Sequence, residues 1–148
     1  MERLGGKLRG QAMATSIQNQ QVIEEFRANA GKVGGNYEGR PLLLLTTTGR
    51  KTGTKHTTPV MYLAHQDGYC VFASKGGAPV HPAWYLNLVA NPRVLVEVGT
   101  ERFEAQATVV GPDERDTLYE KQSSLFSQFA DYQRKTTRKI PVVLLTRV

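Results

Sequence analysis

Two basic, glycine-bearing stretches, each following an apolar run of strand length, hold the residue types in this chain best suited to chemistry. In the first, Gly49-Arg50-Lys51-Thr52-Gly53, the two glycines admit positive φ, so successive N–H groups can turn into one concavity that receives an anion. Arg50 offers a planar fork to phosphate or carboxylate, and Lys51 and Lys55 add point charges. His56 is a weaker, pH-dependent cation. The plainer reading is a solvated β-turn whose cations serve solubility. In the second stretch, Ser74, Lys75, Gly76 and Gly77 put a hydroxyl, a cation and two glycines at a strand exit. They lead into a short helix whose first turn could face an anion. Trp84, the sole tryptophan, follows seven residues after Gly77; a lone tryptophan is commonly core. Together, two basic strand exits beside an aromatic describe a site for a flat ring with an anionic tail.

Other candidates are sparser. Phe126, Phe129 and Tyr132 fall at i, i+3, i+6 on the expected last helix, a spacing that usually marks core and becomes a wall only if the helix covers the site. The histidines His56, His65 and His81 are scattered, with no Ser/His/Asp or Cys/His signature. Cys70, mid-strand, reads as a structural thiol, and no metal-ligand spacing occurs. Difficult chemistry would therefore come from a bound cofactor.

The elements that must position these groups follow from pattern. Residues 1–15 are rich in glycine and basic side chains and read as a mobile tail; residues 16–148 read as one domain. A helix from an N-cap at Ser16 carries Ile17, Val22, Ile23, Phe26 and Ala30 as its apolar stripe and stops at Gly31, Gly34 and Gly35. Strands are expected over 41–48, 58–65 and 69–74, a short helix from Ala83 to Asn91, and a hairpin from Arg93 turning at Gly99-Thr100. One helix from Pro112 to Gln133 and a last strand from Ile140 complete the order α-βββ-α-ββ-α-β. Tight turns between consecutive strands imply mostly antiparallel pairing, hence an α+β, mainly β, small barrel with flanking helices.

A formal charge of +6 favours an anionic partner: a phosphorylated small molecule, nucleic acid or an acidic lipid surface. No apolar run approaches the roughly 18 residues of a membrane span, and the start of the chain lacks a signal-peptide core, so a cytoplasmic protein is expected, with the N-terminal segment left open to peripheral membrane contact. A monomer and a homodimer are both compatible with the sequence.

The stretches LLLLTTTGRKTG, TPVMYL, FASKGGA, HPAWYLNLVANPRVLVEVG and DYQRKTTRKIPVVLL resemble the deazaflavin-dependent nitroreductase family of actinobacteria. These are split β-barrel oxidoreductases that use coenzyme F420. The similarity runs from about Arg40 to the C-terminal strand. It implies that Arg50, Lys51, His56, Ser74, Lys75, Gly76 and Gly77 hold the phosphate and oligoglutamate tail. It further implies that Ala83, Trp84 and Asn87 flank tail and ring, and that Pro59, Val60 and Met61 lie under the deazaflavin. Family members carry an arginine where this chain has His56, and tyrosines where it has Phe126 and Phe129, keeping only Tyr132. The implied activity is hydride transfer from reduced deazaflavin to a small-molecule electron acceptor: a quinone, an enone or a nitroaromatic. Two rivals are an FMN-binding barrel of the same class and a basic barrel that stacks single-stranded nucleic acid on Trp84 and the tyrosines. The second is disfavoured because the cations sit at glycine-bearing strand ends rather than between aromatics along a strand.

Overall fold

The structure, a computed structural model, describes residues 18–148. The expected tail over 1–15, the N-cap at Ser16 and Ile17 lie outside the described residues. Helix α1 (18–28) buries Ile23 and Phe26. Its end is closed by the Gly31 N–H donating to the Phe26 carbonyl at 2.8 Å. Ala30, expected as the last member of the stripe, instead takes the left-handed turn past the helix, with φ 54°.

Six strands follow: β1 (Leu42–Thr48), β2 (Lys55–His65), β3 (Gly68–Phe72), β4 (Arg93–Val98), β5 (Glu101–Val109) and β6 (Val142–Arg147). They close into a barrel in the order β1-β2-β3-β6-β5-β4, with every neighbouring pair antiparallel. Helix α2 (Ala83–Ala90) lies between β3 and β4, and α3 (Pro112–Leu125) and α4 (Gln128–Arg134) lie between β5 and β6. This is the mainly antiparallel split barrel with flanking helices that the sequence predicts.

Alternation decides which side chains fill the barrel. Leu43 and Leu45 join Val71, Val94, Val96, Val143 and Leu145 inside it, under Trp84 and Leu88 of α2. Leu42 and Leu44 face outward beneath Ile23 and Phe26 of α1. β1 is thus covered on both faces, which is why it reads as four consecutive leucines rather than an alternating strand. Each buried leucine contributes roughly 1.5–3 kcal/mol. A third cluster packs Cys70 and Phe72 of β3 and Val142 of β6 against Leu118, Tyr119 and Phe129 of α3 and α4. The Cys70 thiol, fully buried, is pushed up to about 11 by desolvation and then by Glu114, in keeping with a structural role.

The single helix expected from Pro112 to Gln133 is two helices. Phe126 leaves helical geometry, with φ -135° and ψ 96°, and its side chain packs into the third cluster. No glycine or proline marks the break. Burial of Phe126 against the barrel outweighs the local preference to continue the helix.

Candidate active site

The loop Gly49–Thr54 joins β1 to β2 as a closed turn: the Gly49 N–H donates to the Thr54 carbonyl at 2.7 Å and the Gly53 N–H to the Gly49 carbonyl at 2.9 Å. Only Gly53 takes a positive φ, +74°. Gly49 was expected to do so too, but it is constrained by space: a Cβ there would lie 3.1 Å from Thr52 Oγ1 and 3.2 Å from His56 Nε2. Buried Asn87, on α2, ties the loop to the barrel. Its Oδ1 accepts from the Arg50 N–H and from Arg50 Nη1, both at 3.2 Å, and its Nδ2 donates to Thr47 Oγ1 at 3.4 Å.

This loop borders a cavity of about 540 Å³, lined among others by Arg50, Lys51, Lys55, His56, Ala83 and Asn87. A second cavity, of about 330 Å³, is lined by Pro59, Val60, Met61, Ser74, Lys75, Gly76, Phe129 and Tyr132. Thr58 and Trp84 border both, so the two form one groove. Arg50, Lys51, Lys55 and His56 gather at one end; aromatic side chains line the other, with Arg40 and Lys75 among them. Trp84 is only 8% exposed and packs with the barrel interior. It is both core and groove wall, and it presents no face for stacking bases.

The structure therefore brings together the sequence-expected residues, with two exceptions. Gly77 borders neither cavity; it is buried with φ +86°, and a Cβ there would fall 2.7 Å from the Tyr132 carbonyl oxygen. Phe126 also borders neither cavity; it sits at the helix break and packs against the third cluster. Sequence reasoning missed Tyr37 and Arg40, which line the aromatic end. Both precede the first strand, on a segment whose only regular element is a three-residue 3₁₀ turn, Gly35–Tyr37, so neither periodicity nor a motif marks them.

Among the described residues, no aspartate or glutamate lines either cavity, although Arg40, Arg50, Lys51, Lys55 and Lys75 all do. Among the described residues, none of these five pairs with a carboxylate. Cations gathered without counter-charge repel one another, so the arrangement favours a polyanion. The donor set fits a ligand with several negative groups at one end and a flat apolar body at the other.

A closed antiparallel barrel of this kind is the split barrel that F420-dependent reductases share. The profile of the F420H(2)-dependent quinone reductase family matches residues 18–147. An F420H(2)-dependent quinone reductase of Mycobacterium tuberculosis is 42% identical over 126 residues, spanning 82% of this chain and 85% of its own. A solved F420-H2 dependent reductase is 39% identical with a TM-score of 0.65, covering 72% of this chain and 94% of its own. Another solved chain, described as a domain-swapped dimer, is 34% identical with a TM-score of 0.67, covering 89% and 98%. The chain belongs to the F420H(2)-dependent quinone reductase family, and is an oxidoreductase whose cofactor is reduced coenzyme F420.

Proposed function

We propose that the cations distributed along the groove hold the phosphate and anionic tail of the cofactor, and that its aromatic wall receives a quinone. The observation that carries this reading is the groove itself, along which the described residues place five cations and no carboxylate. Arg50 supplies a fork, Lys51, Lys55 and Lys75 supply point charges, and His56 adds a cation when protonated. Asn87 holds the Arg50 backbone and side chain in place before any ligand arrives, which lowers the ordering cost of binding. Pro59, Val60 and Met61 offer an apolar floor to a ring. When bound, the cofactor supplies the hydride; the chain's own residues supply position and exclude water.

Titration monitored through Trp84, which borders both halves of the groove, tests the assignment. Coenzyme F420 should bind more tightly than FMN, because the groove carries more cation than one phosphate requires. Equal or tighter FMN binding by calorimetry would sink the reading.

Acceptor choice falls to Phe129 and Tyr132, the aromatic-stripe residues that line the groove. The Phe129 face offers no hydrogen bond, so a carbonyl or nitro oxygen against it is left unpaired. Phe129→Tyr should raise turnover of polar acceptors relative to apolar ones, and Tyr132→Phe should do the reverse, with cofactor affinity nearly constant. Phe126→Tyr, away from the groove, should leave the ratio alone. Steady-state kinetics with two acceptors decides it; an unchanged ratio in all three variants returns the stripe to the core.

The domain-swapped relative makes a homodimer the assembly to test by light scattering. Arg3, Lys7 and Arg9 make an anionic vesicle the surface to test, with co-sedimentation lost on removing residues 1–15 as the expected result. Among the described residues, no helix is long and apolar enough to cross a membrane.

A further inference from the structure

The loop carrying Ser74, Lys75 and Gly76 is an unfavourable piece of backbone. Lys75, Gly76 and Gly77 are left-handed in succession, with φ of 46°, 63° and 86°, and Lys75 lacks the freedom of glycine there. Something must hold it. The side chain that does so comes from the far end of the chain, just before β6. Arg138 donates from Nη2 to the Ser74 carbonyl at 2.8 Å, from Nη1 to the Ala73 carbonyl at 3.1 Å and from Nε to the Ala78 carbonyl at 2.8 Å. One guanidinium thus grips the strand exit and the far end of the loop together.

Two further contacts aim the fork. His81 Nδ1 lies 3.1 Å from Arg138 Nη1. A guanidinium can only donate, so Nδ1 is the acceptor and the ring proton sits on Nε2. Behind it, Gln133 of α4 donates from Nε2 to the Arg138 carbonyl at 2.8 Å, while its Oε1 accepts from Arg115 Nη2 at 2.5 Å and from the Ile140 N–H at 3.0 Å. Arg115 in turn donates from Nε to the Ile140 carbonyl at 2.8 Å. A rigid polar chain therefore runs from α3 through α4 to Arg138 and ends on the loop carbonyls. Arg138 borders neither cavity of the groove.

We infer that Arg138 is a positioning residue for cofactor binding: by tying up the carbonyls of Ala73, Ser74 and Ala78 it keeps the loop in the shape that presents Ser74, Lys75 and Gly76 to the cofactor. The inference rests on the assignment of that loop to the cofactor. It is the fork that matters and not the charge, because three carbonyls in three directions need three N–H vectors from one planar group. A lysine keeps the charge and cannot reach all three.

The test uses the full chain, with Arg138→Lys, His81→Ala and Lys75→Ala compared. Hydrogen exchange without cofactor reads the Gly77 and Ala78 amides, which donate to the Ser74 and Lys75 carbonyls at 2.9 and 3.1 Å. Calorimetry reads affinity for oxidised coenzyme F420. Arg138→Lys should speed exchange at both amides about tenfold and weaken the cofactor about tenfold, while kcat and the acceptor KM at saturating cofactor stay within about twofold of the wild type. His81→Ala, which removes one acceptor and leaves three carbonyl bonds, should move both readouts the same way by less; it keeps the test decisive should Arg138→Lys fail to fold. Unchanged exchange in both variants, or wild-type affinity in Arg138→Lys, overturns the role of Arg138, and the loop's assignment still stands if Lys75→Ala binds weakly. Faster exchange with normal binding in both Arg138→Lys and Lys75→Ala overturns the assignment of the loop and this inference with it.

Discussion

Gly77→Ala should cost about 2–4 kcal/mol of folding stability and weaken cofactor binding as well. The added Cβ would meet the Tyr132 carbonyl oxygen at 2.7 Å and Lys135 Cβ at 3.0 Å, at a φ of +86°. Neither neighbour can yield by itself: Lys135 Cβ is fixed to its own backbone, and the carbonyl belongs to α4. Either the loop lifts off α4, carrying Ser74 and Lys75 with it, or α4 shifts and takes Phe129 and Tyr132 out of the groove wall. Both routes damage the site although Gly77 borders no cavity. Gly76→Ala is the control: it also has positive φ, +63°, but nothing lies within 4 Å of its Cβ. Only the conformational cost remains there, about 1 kcal/mol. Denaturant unfolding and calorimetry on both variants measure the difference. Equal losses would mean that contact with α4 does not fix the loop.

Arg50→Ala combined with Lys75→Ala should all but abolish cofactor binding at moderate salt. Each cation is expected to contribute about 1.5–3 kcal/mol as a charge-assisted donor. The two line different cavities of the groove, so their losses should add, for a total of about 3–6 kcal/mol. The single variants should also flatten the dependence of affinity on salt, since each removes one screened attraction. Arg50→Ala carries a second effect, because Asn87 Oδ1 loses a donor in a buried position. Arg50→Lys separates the two: it keeps the charge and loses the fork. A double variant that binds normally at low salt places the anion site elsewhere.

What was legible in the sequence was whatever had a local cause. The four leucines of β1 announce a strand covered on both faces. Glycines beside cations announce basic turns at strand ends, and those turns do border one groove. The start of β2 was not legible. Lys55 and His56 are exposed and polar, and they are strand because they pair with Thr48 and Thr47 across the turn. The break at Phe126 was invisible for a related reason: the cluster it packs against joins α3 and α4 to β3 and β6, strands distant in the chain. Arg138 was hidden more completely. It grips carbonyls about 60 residues away, and every residue has a carbonyl, so no side chain there advertises the contact.

The place of β6 in the barrel has a consequence for how the chain assembles. β6 is the last of the six strands to be synthesised, yet it sits between β3 and β5. Until it arrives, the nascent sheet can run from β3 through β2, β1 and β4 to β5, with a slot one strand wide and an unpaired edge on either side. Such edges pair with any strand of suitable register. The slot can therefore accept β6 from the same molecule or from a neighbour, and local concentration chooses between them. Dilute refolding should give self-filled barrels, whereas crowded refolding should give pairs of molecules that have traded their final strands.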